Sequence, residues 1–471
     1  MMRSMYSGVA GLKAHQTKMD VIGNNIANVN TVAFKSQSIT FADMMYQTQQ
    51  TASGANASTG TGGINARQIG LGSVTSSISV AISTAGATQT TGNPFDLRIT
   101  GDSFFIVSNG NGNYFTRAGA FGVDGAGNLV MSTTGYNVMG WGVDPMDPTV
   151  IKKDTVQPLR IMTAENKISD PEATTLARMN GVLDKFNPNV NGDGAIVTLE
   201  FYDNLGYSYT ARFNIKAVDR DAGKYTMTLE EILDSDGNKL GVTDVVFGGV
   251  TGTDDVKPSL DLEFDMDKGT LKQIGKGLLD DTGNQILGDD GKPILTSIYL
   301  DVSKLKLGDT SRGNFTKITI DMSASKCLEN EGQTTLSVLP GDEKNNGKGK
   351  PLGTMSSVSI QPNGMIYATY TNGNTRLLGQ IAVASYANAM GLEKVGDNLY
   401  ASTLNSGEFD GIGVDITTNG GSMTTGVLEM SNVDLSTEFT EMIVAQRGFQ
   451  ANSRIITTSD SLLEELINLK R

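Results

Sequence analysis

The feature that most constrains this chain is a pair of apolar stripes, one at each end. Near the N-terminus Met5, Leu12, Met19 and Ile26 recur every seven residues, flanked by Val9, Ile22 and Val29. Near the C-terminus Leu435, Met442, Phe449, Ile456 and Leu463 keep the same interval, widened by Phe439, Ile443, Ile455, Leu462, Leu466 and Ile467. Apolar residues at this spacing share one side of an α-helix. The pattern predicts helices over 2–30 and 434–469. Asp434 or Ser436 is placed to cap the second, and Lys470 and Arg471 suit its C-terminal dipole. A helix over 434–469 would run about 54 Å, too long to hide its stripe in a small domain. Either the two helices pair within one chain, or such pairs also pack against copies in other subunits. A lone pair leaves much of the stripe in water, which favours assembly.

Between the ends the pattern is β. Residues 31–75 are rich in Ser, Thr, Gln, Asn and Gly, a composition that predicts extended or flexible chain. Strands begin at 76 with SISVAIS at 77–83, followed by FDLRI at 95–99 and the apolar run Phe104–Val107. The stretch VDGAGNLV reads as a tight hairpin. Residues 146–185 read as a linker. Strands separated by Asp- and Gly-rich turns recur from 195 to 320 and again over 355–401, and 405–433 form a polar return to the last helix. The expected class is therefore multidomain α+β, with a terminal helical coiled coil and mainly-β middle and outer domains of sandwich or barrel type. Its nested organisation is 1–30 with 434–471 as the helical domain, 31–75 with 408–433 as extended linkers, 76–145 with 355–407 as a β-rich middle domain, and 146–354 as one or more inserted outer β domains.

Composition narrows the function. The 471 residues carry 37 Lys and Arg against 51 Asp and Glu, a formal charge of −14. That balance argues against a nucleic-acid partner and against docking on anionic lipid. No apolar run is long enough for a membrane-spanning helix, and the first residues lack the apolar core of a Sec signal peptide. One His and one Cys cannot build a multi-His or multi-Cys metal site or an internal disulfide. His15 reads as a solvated or interface residue and Cys327 as an inert thiol. Asn189, Asn191, Asp193, Gly194 and Glu200 have the spacing of a calcium loop, but Asn replaces the first carboxylate and a strand follows, so a turn is the better reading. Asp234–Gly237, Asp280–Asp281 and Asp289–Gly291 read as ordinary turns. No catalytic set, cofactor site or metal site emerges, so the chain is expected to be structural and not an enzyme.

Two long runs carry a family resemblance. SMYSGVAGLKAHQTKMDVIGNNIANVNTVAFKS at 4–36 resembles the N-terminal signature of bacterial flagellar rod and hook proteins, above all at Asp20, Gly23, Asn24, Asn25 and Asn28, then Phe34 and Lys35. Ala33 stands where many members have Gly, which suggests a slightly different backbone turn. LSTEFTEMIVAQRGFQANSRIITTSDSLLEELINLKR at 435–471 resembles the matching C-terminal signature, most specifically at Gln446, Arg447, Gly448, Phe449 and Asn452. The segments at 95–130, 177–187, 197–213 and 355–407 are similar to the hook branch of that family, whose rod members are generally shorter and lack the large insertion.

The resemblance implies a homopolymer: a flexible curved tube that encloses an export channel and transmits torque from rod to filament as a universal joint. It implies a rod protein below, a hook–filament junction protein above, a hook cap protein during assembly and export through the flagellar type III apparatus to the cell exterior, with no nucleic acid and no membrane insertion. The assembly interface would comprise Met5, Leu12, Met19, Ile22, Ile26, Leu435, Phe439, Met442, Phe449, Ile456 and Leu463. The alternatives are a distal rod or junction protein within the family and, from another class, a β-rich secreted adhesin or hydrolase.

Overall fold

The structure is a computed structural model that describes residues 2–54, 60, 62–253, 256–277, 285, 295–305 and 315–469. Helix α1 spans Met2–Ala27, α2 is a single turn at Pro188–Asn191, and α3 spans Leu435–Asn468. Asp434 caps α3: its carboxylate accepts from the Ser436 amide at 2.9 Å and from the Thr437 hydroxyl at 2.8 Å. Those two bonds, Thr437 first, hold its pKa below the ordinary range. The basic residues expected at the far end, Lys470 and Arg471, lie outside the described residues, as do Asp280–Asp281 and Asp289–Gly291.

The chain forms two compact units. The first comprises 1–166, 357–368 and 375–471, and the second comprises 167–356 and 369–374. In the first, α1 and α3 lie antiparallel, with Lys18 bridging to Glu441 at 3.1 Å and Asn25 donating to Glu438 at 2.8 Å. The stretch expected to be extended or flexible instead begins a ladder directly after α1. Gln37–Asp43 pairs antiparallel with Ser73–Val80, and Tyr46–Gln50 pairs with Arg67–Gly70. Hydroxyls meet across the first ladder, Ser38 with Ser79 at 2.9 Å and Thr40 with Ser77 at 2.8 Å. Such pairs let a polar, low-complexity sequence hold a strand register.

The main sheet of this unit interleaves distant parts of the chain. Its central path runs Thr375–Ile381, Asn137–Gly142, Phe104–Ser108, Asn113–Thr116, Leu399–Ala401 and Glu393–Gly396. Phe104, Phe105, Ile106 and Val107 are fully buried, as their unbroken apolar run suggests for a strand covered on both faces. The hairpin read at VDGAGNLV forms, with Phe121–Val123 against Leu129–Met131. The polar return also contributes strands: Ser422–Thr425 pairs with Leu97–Thr100, and Val427–Glu429 with Thr88–Thr90.

The second unit holds one hydrogen-bonded set of twelve strands. In strand Ser208–Asp219, Tyr209, Ala211, Phe213 and Ile215 are buried in strict alternation, the period-2 pattern of a half-buried strand. Part of the expected 146–185 linker is a strand here. Leu176–Leu183 buries Ala177, Met179 and Leu183 and runs parallel to Lys317–Cys327. Residues 146–166 stay with the first unit.

Candidate assembly surface of the terminal helix pair

Small residues bring the two helices together. The buried positions of α1 are Gly8, Gly11, Ala14, Val21, Ile22 and Asn25, and those of α3 are Ala445 and Ser459. A Cβ on Gly8 would meet Ile456 at 3.3 Å, and one on Gly11 would meet the Asn452 amide at 2.7 Å. Opposite them, a Cβ on Gly448 would lie 2.5 Å from the His15 ring. His15 is thus an interface residue, set against Gly448 and near Phe41.

The apolar stripes are placed around this seam. Ile22 is buried. Met5, Leu12, Met19 and Ile26 of α1 are half-buried, as are Met442, Phe449, Ile456 and Leu463 of α3. Leu435 is exposed, and Phe439 and Ile443 keep 51% and 58% of their surface in water. Val444, Ile455, Leu462, Leu466 and Ile467 are also exposed. The α3 stripe therefore divides into a side turned to α1 and a side with no partner among the described residues.

Signature residues divide in the same way. Asn25 is fully buried. Its Nδ2 donates to the Gln37 carbonyl and to Glu438, both at 2.8 Å, and its Oδ1 accepts from the Gln37 amide at 2.9 Å. It ties the end of α1 to the first strand and to α3. Burial raises the Glu438 pKa, with the Asn25 bond opposing it. Asn28 donates back to the Asn24 carbonyl at 2.9 Å, closing the helix end. Ala33 adopts φ +57°, so the turn is the left-handed one that glycine favours, not a different one. Phe34 is buried beneath the Lys394 ammonium, 4.8 Å from the ring centroid. Asn452 donates to the Gly448 carbonyl at 3.0 Å. Asp20, Gly23, Asn24, Gln446 and Arg447 are exposed.

Lys35 leads to residues that the sequence does not flag. It is fully buried and donates to Glu429 at 2.7 Å and to the Thr84 carbonyl at 2.7 Å. Buried Arg117 lies 3.8 Å from the other Glu429 oxygen. Burial pulls the Lys35 pKa down, and its bond to Glu429 pulls the other way. The Gly86 amide also donates to Glu429 at 2.9 Å, and a Cβ there would sit 1.9 Å from the Met430 carbonyl oxygen, so only glycine fits. The cluster joins the chain leaving α1 to the chain entering α3.

The residues weighed for chemistry have structural surroundings. Cys327 is buried, 3.5 Å from the Tyr225 hydroxyl, and burial raises its pKa. Asn189 and Asn191 lie in α2, and Glu200 lies along the next strand. Among the described residues, no group of three or more His, Cys, Asp or Glu could hold a metal ion, and no helix is long and apolar enough to cross a membrane.

A chain that gathers both ends into one helix pair, and leaves an apolar side of that pair open, belongs to the class of subunits built to associate with copies of themselves. Comparison with known proteins makes the class specific. Residues 5–35 match the model of flagella basal body rod proteins, 98–176 the flagellar hook protein FlgE/F/G D1 domain, and 424–469 the flagellar basal body rod FlgEFG protein C-terminal region. The flagellar hook protein FlgE of Treponema pallidum is 33% identical and that of Borreliella burgdorferi 34%, each over 100% of both chains. The chain belongs to the flagellar hook protein family and is a structural subunit of the hook. The flagellar basal-body rod protein FlgG of Bacillus subtilis is 30% identical, also over 100% of both chains. This rod-named relative of full length shows that length and the large insertion do not by themselves exclude a rod member.

Proposed function

We propose that this hook subunit polymerises through its terminal helices into a flexible curved tube that encloses an export channel and transmits torque as a universal joint. The observation that carries this reading is the unpartnered side of α3, where Phe439, Ile443, Leu462 and Leu466 are each at least half exposed. Apolar surface of this extent on a helix pair is stabilised when other copies cover it. In the assembly, the predicted interface residues Met5, Leu12, Met19, Ile22, Ile26, Leu435, Phe439, Met442, Phe449, Ile456 and Leu463 act at two levels: those turned to the seam shape the pair, and the exposed ones join it to neighbours. The β unit of 167–356 and 369–374 lies outside the tube, where its charged surface slides against neighbours as the tube bends. Its flanking partners are a rod protein, a hook–filament junction protein and a cap, and the chain reaches the cell exterior through the type III apparatus. The reading requires no catalysis and no cofactor.

Electron microscopy of purified protein under polymerising conditions tests it. Ile443→Asp is expected to keep the helicity of the monomer yet form no tubes, because that side chain has little to lose within the chain. Phe449→Asp is expected to lose both tubes and part of the helix pairing. Tubes of normal length from Ile443→Asp would overturn the reading. Straight tubes from the unaltered chain would favour a rod subunit.

A further inference from the structure

We infer that Glu438 makes the joint between α1, α3 and the Gln37–Asp43 strand proton-sensitive: the joint tightens when this carboxyl takes up a proton and loosens when it gives one up. Asn25, fully buried, shapes the joint. Its Oδ1 accepts from the Gln37 amide at 2.9 Å, and its Nδ2 donates to the Gln37 carbonyl at 2.8 Å. The remaining Nδ2 hydrogen goes to Glu438 Oε1, also at 2.8 Å. Turning the Asn25 amide over would set oxygen against the Gln37 carbonyl, so this side chain can offer Glu438 a donor and nothing else. A carboxyl oxygen accepts that bond whether the group is ionised or neutral. Protonation therefore keeps the contact and changes only the charge.

The charges around Glu438 are mostly of its own sign. Asp434 stands four residues before it and Glu441 three after it, so the three carboxyls lie along one side of α3. Across the seam α1 presents Lys18, whose ammonium is taken by Glu441 at 3.1 Å, while Lys13 and Asp20 of the same helix are exposed. The strand presents the Gln37 peptide, and its own acid, Asp43, lies about 20 Å further along. A helix start favours a negative charge, but Asp434 already supplies it, held ionised by its cap bonds to Thr437 and Ser436. Burial acts first to raise the Glu438 pKa, and repulsion from Glu441 and Asp434 adds to it, against the Asn25 bond and Lys18. The sign is opposite to that of Asp434. A folded pKa above the unfolded one gives stability that is fully present below the ordinary value of 4.5 and is lost as pH rises through the folded value. The joint is complete within one chain, so it works independently of polymerisation.

Native-state hydrogen exchange on the full chain tests this, with intrinsic rates corrected at each pH. Between about pH 4 and about pH 7, protection of the amides at 24–27 and 439–444 should fall about threefold or more relative to Glu438→Gln. Glutamine keeps the oxygen that Asn25 needs and cannot ionise, so the variant stands for the protonated joint. Parallel pH profiles for the two chains would overturn the inference. Weaker protection or loss of the fold in Glu438→Gln at about pH 7 would overturn it as well, because the uncharged group should be the tighter one. Glu441→Gln supplies an independent arm. It removes one like charge and frees Lys18, so the fall should shrink to about half or less; an undiminished fall would count against the role given to the neighbouring charges and overturn the inference.

Discussion

The terminal helix pair and the second β unit solve the burial problem in opposite ways. The β unit encloses Phe213, Ile215, Tyr225, Met227 and Leu229 completely, within strands that, among the described residues, pair with strands of the same unit. The helix pair spends its closest contacts on Gly8, Gly11, Gly448 and Ala445 and leaves Phe439 and Ile443 in water. Glycine in a helix interior costs about 1 kcal/mol relative to alanine, so the pair accepts a local penalty for close approach. One region buries its large side chains inside the chain, while the other leaves apolar surface exposed. Large side chains at regular spacing thus mark a face, but their exposure tells whether that face is internal or shared.

The sharpest way to break this contrast is Phe213→Ala. Truncating a fully buried aromatic costs about 3–5 kcal/mol, and hydrogen exchange should confine the loss to residues 167–356. Tubes should still form; their disappearance would mean that the two regions are not independent. Gly11→Leu works from the other side. It should weaken the pair by about 1–3 kcal/mol through overpacking, lowering helicity by circular dichroism while the protection of the β unit stays unchanged.

Acid separates the regions next. Burial acts to raise the Asp415 carboxyl, but Lys153, Thr417 and Gln380 outweigh it and hold its pKa at about 2. A folded pKa below the unfolded value stabilises above about pH 4 and loses that contribution as pH falls toward 2. The expected loss is about 2 kcal/mol. Asp184 of the second unit is also depressed: burial raises it, and the amides of Phe186, Asn330 and Gly332 more than compensate. Asp415→Asn should therefore flatten the acid transition of the first unit alone, as read by pH-dependent hydrogen exchange. The smallest effect is expected for Ala33→Gly, which relieves a left-handed alanine by about 1 kcal/mol or less, seen as a slight rise in melting temperature of the first unit.

Much of the architecture was legible because it is periodic. The interval from Met442 to Leu463 marks the side of α3 turned to α1, and alternation marked the strands of the second unit. The seam itself was not legible, since Gly8 and Gly11 look like weak helix formers until a second helix lies on them. The Gln37–Asp43 ladder was missed because hydroxyl pairing leaves no apolar alternation to detect. Leu176–Leu183 was missed because nearby Pro and Asp hid a short alternating run. Lys35 stood out through family resemblance, yet its partner Glu429 lies 394 positions away, beyond any local pattern. Nor did spacing distinguish Met442, half-buried toward α1, from Ile443, exposed beside it.

That ion cluster also makes the fold sensitive to completeness. Lys35 and Arg117 are buried cations, and the Glu429 carboxylate lies between them near the last helix. A chain ending before Glu429 would have to desolvate two positive groups without that counter-charge, a penalty of several kcal/mol. An interrupted copy would thus be discouraged from closing its first unit, while a finished one could neutralise the site and dock α3 in the same event. The cluster thus ties the segment after the first helix to a residue 394 positions further along the chain.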